Sequence, residues 1–496
     1  MTMALMPPLM FLGLVLFMLV GFPVAFSLAA LGLTAGLAAI QLGYLTPAFF
    51  GNLPLNIFGI LSNDLLLAIP FFTFMGAILE RCGLAEDLLE GTGQLFGPVP
   101  GGLAYAVIIV GAILGAITGT VAASVIAMGL ISLPIMQRYG YDMKLATGVI
   151  AASGTITQLI PPSLVLIVLA DQMGKSVGDM YKGAIGPSIM QTLLFILFIF
   201  AVSILRPRWV PPLPREARTL QGWPLIRRVL WGMVPSIVLI FLVLGTIFLG
   251  YATPTEAGAM GAVGAMALAA MHRRLTWTLV RQGMESTMRI TAMVVFILIG
   301  SRTFSLVFLG VDGGVWIEHL LSSLPGGVTG FLVVVNLFVF FLAFFLDFFE
   351  IAFIIIPLLA PVAAKMGIDL IWFGVLLCVN MQTSFMHPPF GFALFYLRGI
   401  APKSVKSSDI YLGAIPWVLL QVLMAGIVIA WPGLVTMWLD VEQKVDLDRV
   451  QIEMPADTSQ PDAASEGGGS DFSGFASPAP TAPAGAGAGS GEPGTR

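Results

Sequence analysis

The 496-residue chain is 57 % hydrophobic and only 10 % charged, whereas a soluble domain carries about 25 % charge, which excludes a water-soluble globular protein and implies a polytopic membrane protein. The net charge of −4 comes from 23 basic and 27 acidic residues, with the acidic surplus in the C-terminal tail, so no nucleic-acid partner is expected. The two cysteines, Cys82 and Cys378, support neither a disulfide framework nor a metal site and read as small apolar packing residues.

Taken in chain order, apolar runs long enough to cross a hydrocarbon core of about 30 Å lie at residues 5–21, 23–42, 56–77, 144–171 and 184–205. The first run has no basic n-region and no clear cleavage site, so it is expected to stay as a span. A connection at 206–228 with six arginines against the single acid Glu216 follows. A second set of runs lies at 229–250, 254–271, 288–308, 371–397 and 414–438. Five spans per half is an odd number, so residues 1–205 and 229–438 are expected to insert with opposite orientation as two inverted repeats.

Between the third and fourth runs of each half sits a further apolar pair, 102–117 with 121–136 and 328–346 with 348–363. Each pair reads as a re-entrant helical hairpin, because the arms are short and the tips, Thr118-Gly119-Thr120 and Asp347, are polar. Two full spans joined by an external turn would fit the same pattern. The basic loops at 206–228, at His272-Arg273-Arg274-Arg281 and at Arg398-Lys403-Lys406 fall on one side, which the Lys/Arg bias assigns to the cytoplasm. Both termini are then expected in the periplasm. From 439 to 496 the composition turns to Ser, Pro, Ala, Gly and acids, which predicts a disordered tail.

Residues 120–168 lie on 347–395 without a gap at an offset of 227, carrying Pro161-Pro162 onto Pro388-Pro389, Pro134 onto Pro361 and Asp142 onto Asp369. Pro100-Gly101-Gly102 resembles Pro325-Gly326-Gly327 at 225, and Tyr181-x-Gly183-Ala184-Ile185 resembles Tyr411-x-Gly413-Ala414-Ile415 at 230. Proline-broken apolar segments in corresponding places point to a binding site near the bilayer midplane, the mark of a secondary transporter.

Proline removes a backbone donor and frees carbonyls upstream, and these join nearby hydroxyls as hard oxygen ligands for a small cation such as sodium. In the first segment Ser153, Gly154, Thr157, Gln158, Pro161 and Ser163 supply such groups; in the second, Asn380, Gln382, Thr383, Ser384, His387 and Pro388 do. A kink satisfied by its own Ser and Thr side chains is the plain alternative. The offset pairs Ser153 with Asn380, Thr157 with Ser384 and Thr120 with Asp347, so a hairpin tip and a broken helix are matched twice. Thr118, Gly119 and Asp347 at the tips are candidate sodium ligands, with Asp347 alternatively a helix cap. Glu350 is neutral or paired with an arginine. Arg302 attracts an anionic substrate, reaches the interface or pairs with Glu350. Glu256 closes a capping box with Thr253, Asp64 caps a segment of the third span, and His387 shapes the site rather than relaying protons.

At these residues the chain resembles the large membrane subunit of the tripartite ATP-independent periplasmic (TRAP) transporters. The likeness is carried by Ala68-Ile69-Pro70-Phe71-Phe72 with Met75-Gly76, by Gly83-Leu84-Ala85, Pro100-Gly101-Gly102 and Ala252-Thr253-Pro254-Thr255-Glu256-Ala257, and by both Pro-Pro segments. The resemblance implies an elevator-type transporter of about ten spanning helices and two hairpins, driven by sodium, in the bacterial inner membrane. It further implies a periplasmic substrate-binding protein and a small four-helix membrane subunit as partners. Where many members have a small residue and Pro after the hairpin Asp, this chain has Phe348-Phe349, and His387 replaces the usual Thr. These features are similar to the branch associated with α-keto acids, mannitol or chloroaromatic compounds, which speaks against a C4-dicarboxylate or sialic acid cargo.

The resulting expectation is a sodium-coupled importer of a small organic acid, with Thr120, Ser153, Gln158, Ser163, Arg302, Gln382 and His387 toward the substrate and no cofactor beyond sodium. The rivals are an autonomous cation/proton exchanger using Asp347 and Glu350, and an intramembrane enzyme. The latter lacks both the His-Glu-x-x-His and Gly-x-Ser-x-Gly motifs.

Overall fold

A computed structural model describes residues 3–218, 222–322, 324–388 and 391–439, apart from the side chains at 18, 19, 118 and 322. The expected tail beyond residue 439 lies outside the described residues. Those residues are helical and contain no strand. The first half holds α1 (Met6–Val20), α2 (Val24–Gln41), α3 (Asn52–Leu61), α4 (Asp64–Arg81), α5 (Leu84–Phe96), α6 (Gly102–Thr118), α7 (Val121–Arg138), α8 (Met143–Thr155), α9 (Leu164–Met173) and α10 (Val177–Leu205). The second holds α11 (Trp223–Phe248), α12 (Pro254–Met271), α13 (Trp277–Gly310), α14 (Gly313–Ser322), α15 (Gly327–Leu342), α16 (Phe348–Ile354), α17 (Ile356–Lys365), α18 (Leu370–Met381), α19 (Phe392–Ile400), α20 (Ser407–Ala430) and α21 (Gly433–Thr436).

Among the described residues six helices, α2, α7, α10, α11, α13 and α20, are long and apolar enough to cross a bilayer. Leu197, Phe200, Phe241 and Phe395 are exposed on their helices, as expected where lipid rather than water is the solvent. The third predicted run is not one continuous helix: α3 and α4 meet at a 46° bend. Its cap is Asn63, whose side chain accepts from Leu65 N at 3.0 Å, while Asp64 is the first helical residue. This corrects the expectation that Asp64 caps; its negative charge at the helix start is favourable instead.

The predicted arm 348–363 is also divided, with a 51° bend between α16 and α17. Pro357 lacks the N–H that would reach the Phe353 carbonyl one turn back, and the Ser301 hydroxyl donates to that carbonyl instead. Two helices were not foreseen, α5 and α14. Both are short, mixed-polarity segments that immediately precede a Pro-Gly-Gly turn, and a search for apolar spans passes over them. In those turns Gly101 and Gly326 have φ of 82° and 96°, a left-handed conformation that favours glycine.

The packing partners exchange between halves. α2 packs on α13 while α4 packs on α12; α1 packs on α14 while α11 packs on α5; α8 packs on α20 while α18 packs on α10. The α8–α20 crossing is made of backbone: a Cβ on Gly148 would lie 2.2 Å from Gly413 O, and one on Gly413 would lie 2.1 Å from Lys144 O.

Candidate functional site

Both diproline segments unwind. Asp142 and Asp369 start their helices, accepting from Lys144 N and Leu145 N and from Trp372 N respectively. α8 then ends in a 3-10 turn at Ile156–Gln158 and α18 in one at Gln382–Phe385. Pro161 and Pro162, joined by a cis peptide bond, remove the donors that would have reached the Thr157 and Gln158 carbonyls. Ser163 repairs one loss by donating to Gln158 O at 2.5 Å, and it caps α9 by accepting from Val165 N at 3.1 Å. Pro388 begins the corresponding second exit; Pro389 lies outside the described residues.

The hydroxyls around each break donate inward. Thr157 Oγ1 donates to Gly154 O at 2.9 Å, and its repeat mate Ser384 Oγ donates to Met381 O at 2.7 Å. Thr383 Oγ1 donates to Asn380 O, also at 2.7 Å. With their protons committed, these oxygens keep lone pairs for a cation. Ser153 Oγ and Gln158 Oε1 are buried with no hydrogen-bond partner among the described residues. α6 approaches this break closely, because a Cβ on Gly111 would lie 2.7 Å from Ser153 Cβ and one on Gly115 would lie 2.8 Å from Thr157 Cα. Gly154 faces Val125 of α7 in the same way.

The first hairpin turns at Gly119 and Thr120, where Gly119 has φ 59°. The Thr118 side chain, one of the candidate sodium ligands, lies outside the described residues. At the second tip Asp347 and Glu350 form a reciprocal capping box. Asp347 Oδ1 accepts from Glu350 N at 2.8 Å, and Glu350 Oε2 accepts from Asp347 N at 3.0 Å. This satisfies two orphan donors of α16. Glu350 makes no ion pair with an arginine among the described residues, which removes the arginine-paired alternative.

These parts converge. A cavity of about 250 Å³ is lined by both tips, Gly119, Thr120 and Asp347, together with Gln158 from the first break and Phe385 from the second. α19 packs on α7, and α9 packs on α16 and α17, so each broken helix finishes against the hairpin of the other half. Of the predicted residues, Gly119, Thr120, Gln158 and Asp347 line the cavity. Ser153, Gly154, Thr157, Pro161, Ser163, Asn380, Gln382, Thr383, Ser384 and Pro388 belong to the two breaks behind it.

Arg302 is elsewhere. It lines a separate cleft of about 380 Å³ beside Asn63 and Asp171, which corrects both its pairing with Glu350 and its placement with the other substrate residues. His387 is 1 % exposed and stacks on Phe344 with ring centroids 4.0 Å apart and planes at 14°. It supports the aromatic wall and does not line the cavity. Tyr396, Phe349, Phe392, Ile290 and Met293 line it and were missed. The run of aromatics around 344–353 and 385–396 was a usable signal for the first three; nothing local marks Ile290 or Met293.

The Glu256 expectation holds: Thr253 N and Oγ1 donate to Glu256 Oε2 at 2.8 and 2.9 Å, and Glu256 N donates to Thr253 Oγ1 at 3.3 Å.

Comparison with known proteins agrees with this architecture. A search of solved structures finds the YdaH transporter of Alcanivorax borkumensis, which superposes with a TM-score of 0.54 at 17 % identity, covering 80 % of this chain and 89 % of that one. The C4-dicarboxylate TRAP transporter large permease protein DctM of Pseudomonas aeruginosa is 29 % identical over 82 % of this chain and 92 % of its own length. The 2,3-diketo-L-gulonate TRAP transporter large permease protein YiaN of Escherichia coli is 26 % identical over 75 % of this chain and 85 % of its own. Both relatives are transporter permeases, not enzymes, and the cargoes in their names differ. The family profile described as "Tripartite ATP-independent periplasmic transporter, DctM component" matches residues 11–434, and the chain belongs to that family as a multi-pass membrane permease that transports substrate.

Proposed function

We propose that this permease imports a small organic acid coupled to sodium, receiving it from a periplasmic substrate-binding protein and working with a small four-helix membrane subunit. The observation that carries this reading is the meeting of two polar hairpin tips and two unwound helices at one cavity. The hydroxyl and carbonyl oxygens of Ser153, Gly154 and Thr157 form one sodium site with the first tip. Those of Asn380, Thr383 and Ser384 form another with the second tip. Thr120, Gln158 and Tyr396 offer hydrogen bonds to the acid between them.

The two halves are inverted copies in this reading, a view supported by the exchange of packing partners between them, and the hairpins and broken helices move together as an elevator. Two sodium ions with one monoanion carry one net positive charge inward, which gains about 2.3 kcal/mol per 100 mV of inside-negative potential. The exchanger alternative has less support, because the Asp347 and Glu350 carboxylates are engaged in capping each other's backbone. The test is uptake in proteoliposomes containing the permease, its small subunit and its binding protein. Replacing external sodium by potassium abolishes uptake if coupling exists, and unchanged uptake removes it.

A further inference from the structure

Gln421 of α20 is wholly buried, and its Nε2 donates to Thr155 Oγ1 at 3.0 Å. Thr155 is the last residue of α8 and donates in turn to Ala152 O at 2.9 Å. The bond therefore ties the lip of the first break to a continuous helix from the other half of the chain. The repeat carries both partners. An offset of 227 takes Thr155 to Gln382, the first residue of the second 3-10 turn, and an offset of 230 takes Gln421 to Gln191 on α10. Their helices follow suit, since α8 packs on α20 and α18 packs on α10.

Gln191 and Gln382 are also wholly buried, and neither amide has a hydrogen-bond partner among the described residues. A buried polar group left unpaired costs about 1–3 kcal/mol, and these are two complementary amides, Gln191 on α10 and Gln382 just past the end of α18, the helix that packs on α10. We propose that Gln421–Thr155, bonded in this structure, and Gln191–Gln382, whose amides are not bonded to each other in it, are quasi-equivalent struts, each bracing one break from the adjoining long helix. Gln421 and Gln191 are then positioning residues. Neither touches the cavity; each fixes the carbonyl and hydroxyl oxygens one turn away, as groups behind a cation's direct ligands do. The proposal rests on the reading of the breaks as binding elements.

The test uses the full chain in nanodiscs for backbone hydrogen exchange, and in proteoliposomes with its partners for uptake. Gln421→Met and Thr155→Val speed exchange at residues 155–160, and Gln191→Met speeds it at 382–388, each without effect on the other break. Each raises the half-saturating sodium concentration about 10-fold or more while leaving the maximal rate near the native value. Thr155→Ser, which restores the acceptor hydroxyl, behaves as the native protein. Should Gln421→Met not fold, Gln421→Asn keeps the amide but cannot span the gap and gives the same localised pattern. Unchanged exchange at the cognate break, or Thr155→Ser behaving like Thr155→Val, overturns the struts. Sodium-independent uptake by the native protein would remove the coupling instead, and exchange would still decide the struts.

Discussion

Asn380 donates its side-chain amide to both oxygens of Asn336, at 2.8 Å to the backbone carbonyl and 3.1 Å to the side-chain carbonyl. This places α15 against the second break as Gly111 places α6 against Ser153 in the first. Asn336→Leu removes one acceptor and leaves a buried amide under-satisfied, which is expected to cost about 1–3 kcal/mol. Thermal unfolding in detergent measures this. The double variant with Asn380→Leu recovers part of the loss, because the stranded amide is then gone.

The hairpin aspartate separates two roles. Ser caps helices about as well as Asp, so Asp347→Ser keeps α16 intact while deleting the charge. Sodium-dependent uptake is expected to vanish in Asp347→Ser with stability near native. Retained uptake would reduce Asp347 to a cap. Asp347→Ala loses both functions, with about 1 kcal/mol less stability.

Gly111→Ala and Gly115→Ala each force a Cβ to within 2.7–2.8 Å of atoms of Ser153 and Thr157. Overpacking of this kind costs about 1–3 kcal/mol, and here it also displaces the break, so uptake falls. Gly245→Ala in α11 is the control: a Cβ there meets nothing within 4 Å, and the variant is expected to transport as the native protein does.

Ser301→Ala strands the Phe353 carbonyl left free by Pro357, at an expected cost of about 1–3 kcal/mol. Adding Pro357→Ala restores a main-chain donor for that carbonyl and recovers stability. If the pair is no more stable than Ser301→Ala alone, the proline is not the reason the carbonyl needs Ser301.

Much of this architecture was legible in the chain itself, and for definite reasons. Proline pairs leave a local mark, so both breaks fall where Pro161-Pro162 and Pro388 stand. Thr253-Pro254-x-Glu256 announces its capping box within four residues. The cavity was half readable: Thr120, Asp347 and Gln158 lie within the matched stretches, whereas Ile290 and Met293 reach it from α13 only through tertiary packing. Arg302 misled because a cation at membrane depth signals an aqueous surface without saying which one. The start of α4 within the third run was read one residue late, at Asp64 rather than Asn63, because two good cap residues stand side by side there.

The glycine crossing of α8 and α20 makes each half of the chain depend on the other. At Gly148 and Gly413 main chain meets main chain, with carbonyl oxygens filling the places where side chains would begin. One half in isolation would leave that seam, and the polar break beside it, open to lipid. Neither half can close that seam alone, so the two halves of the chain are bound to fold as one body rather than as separable units.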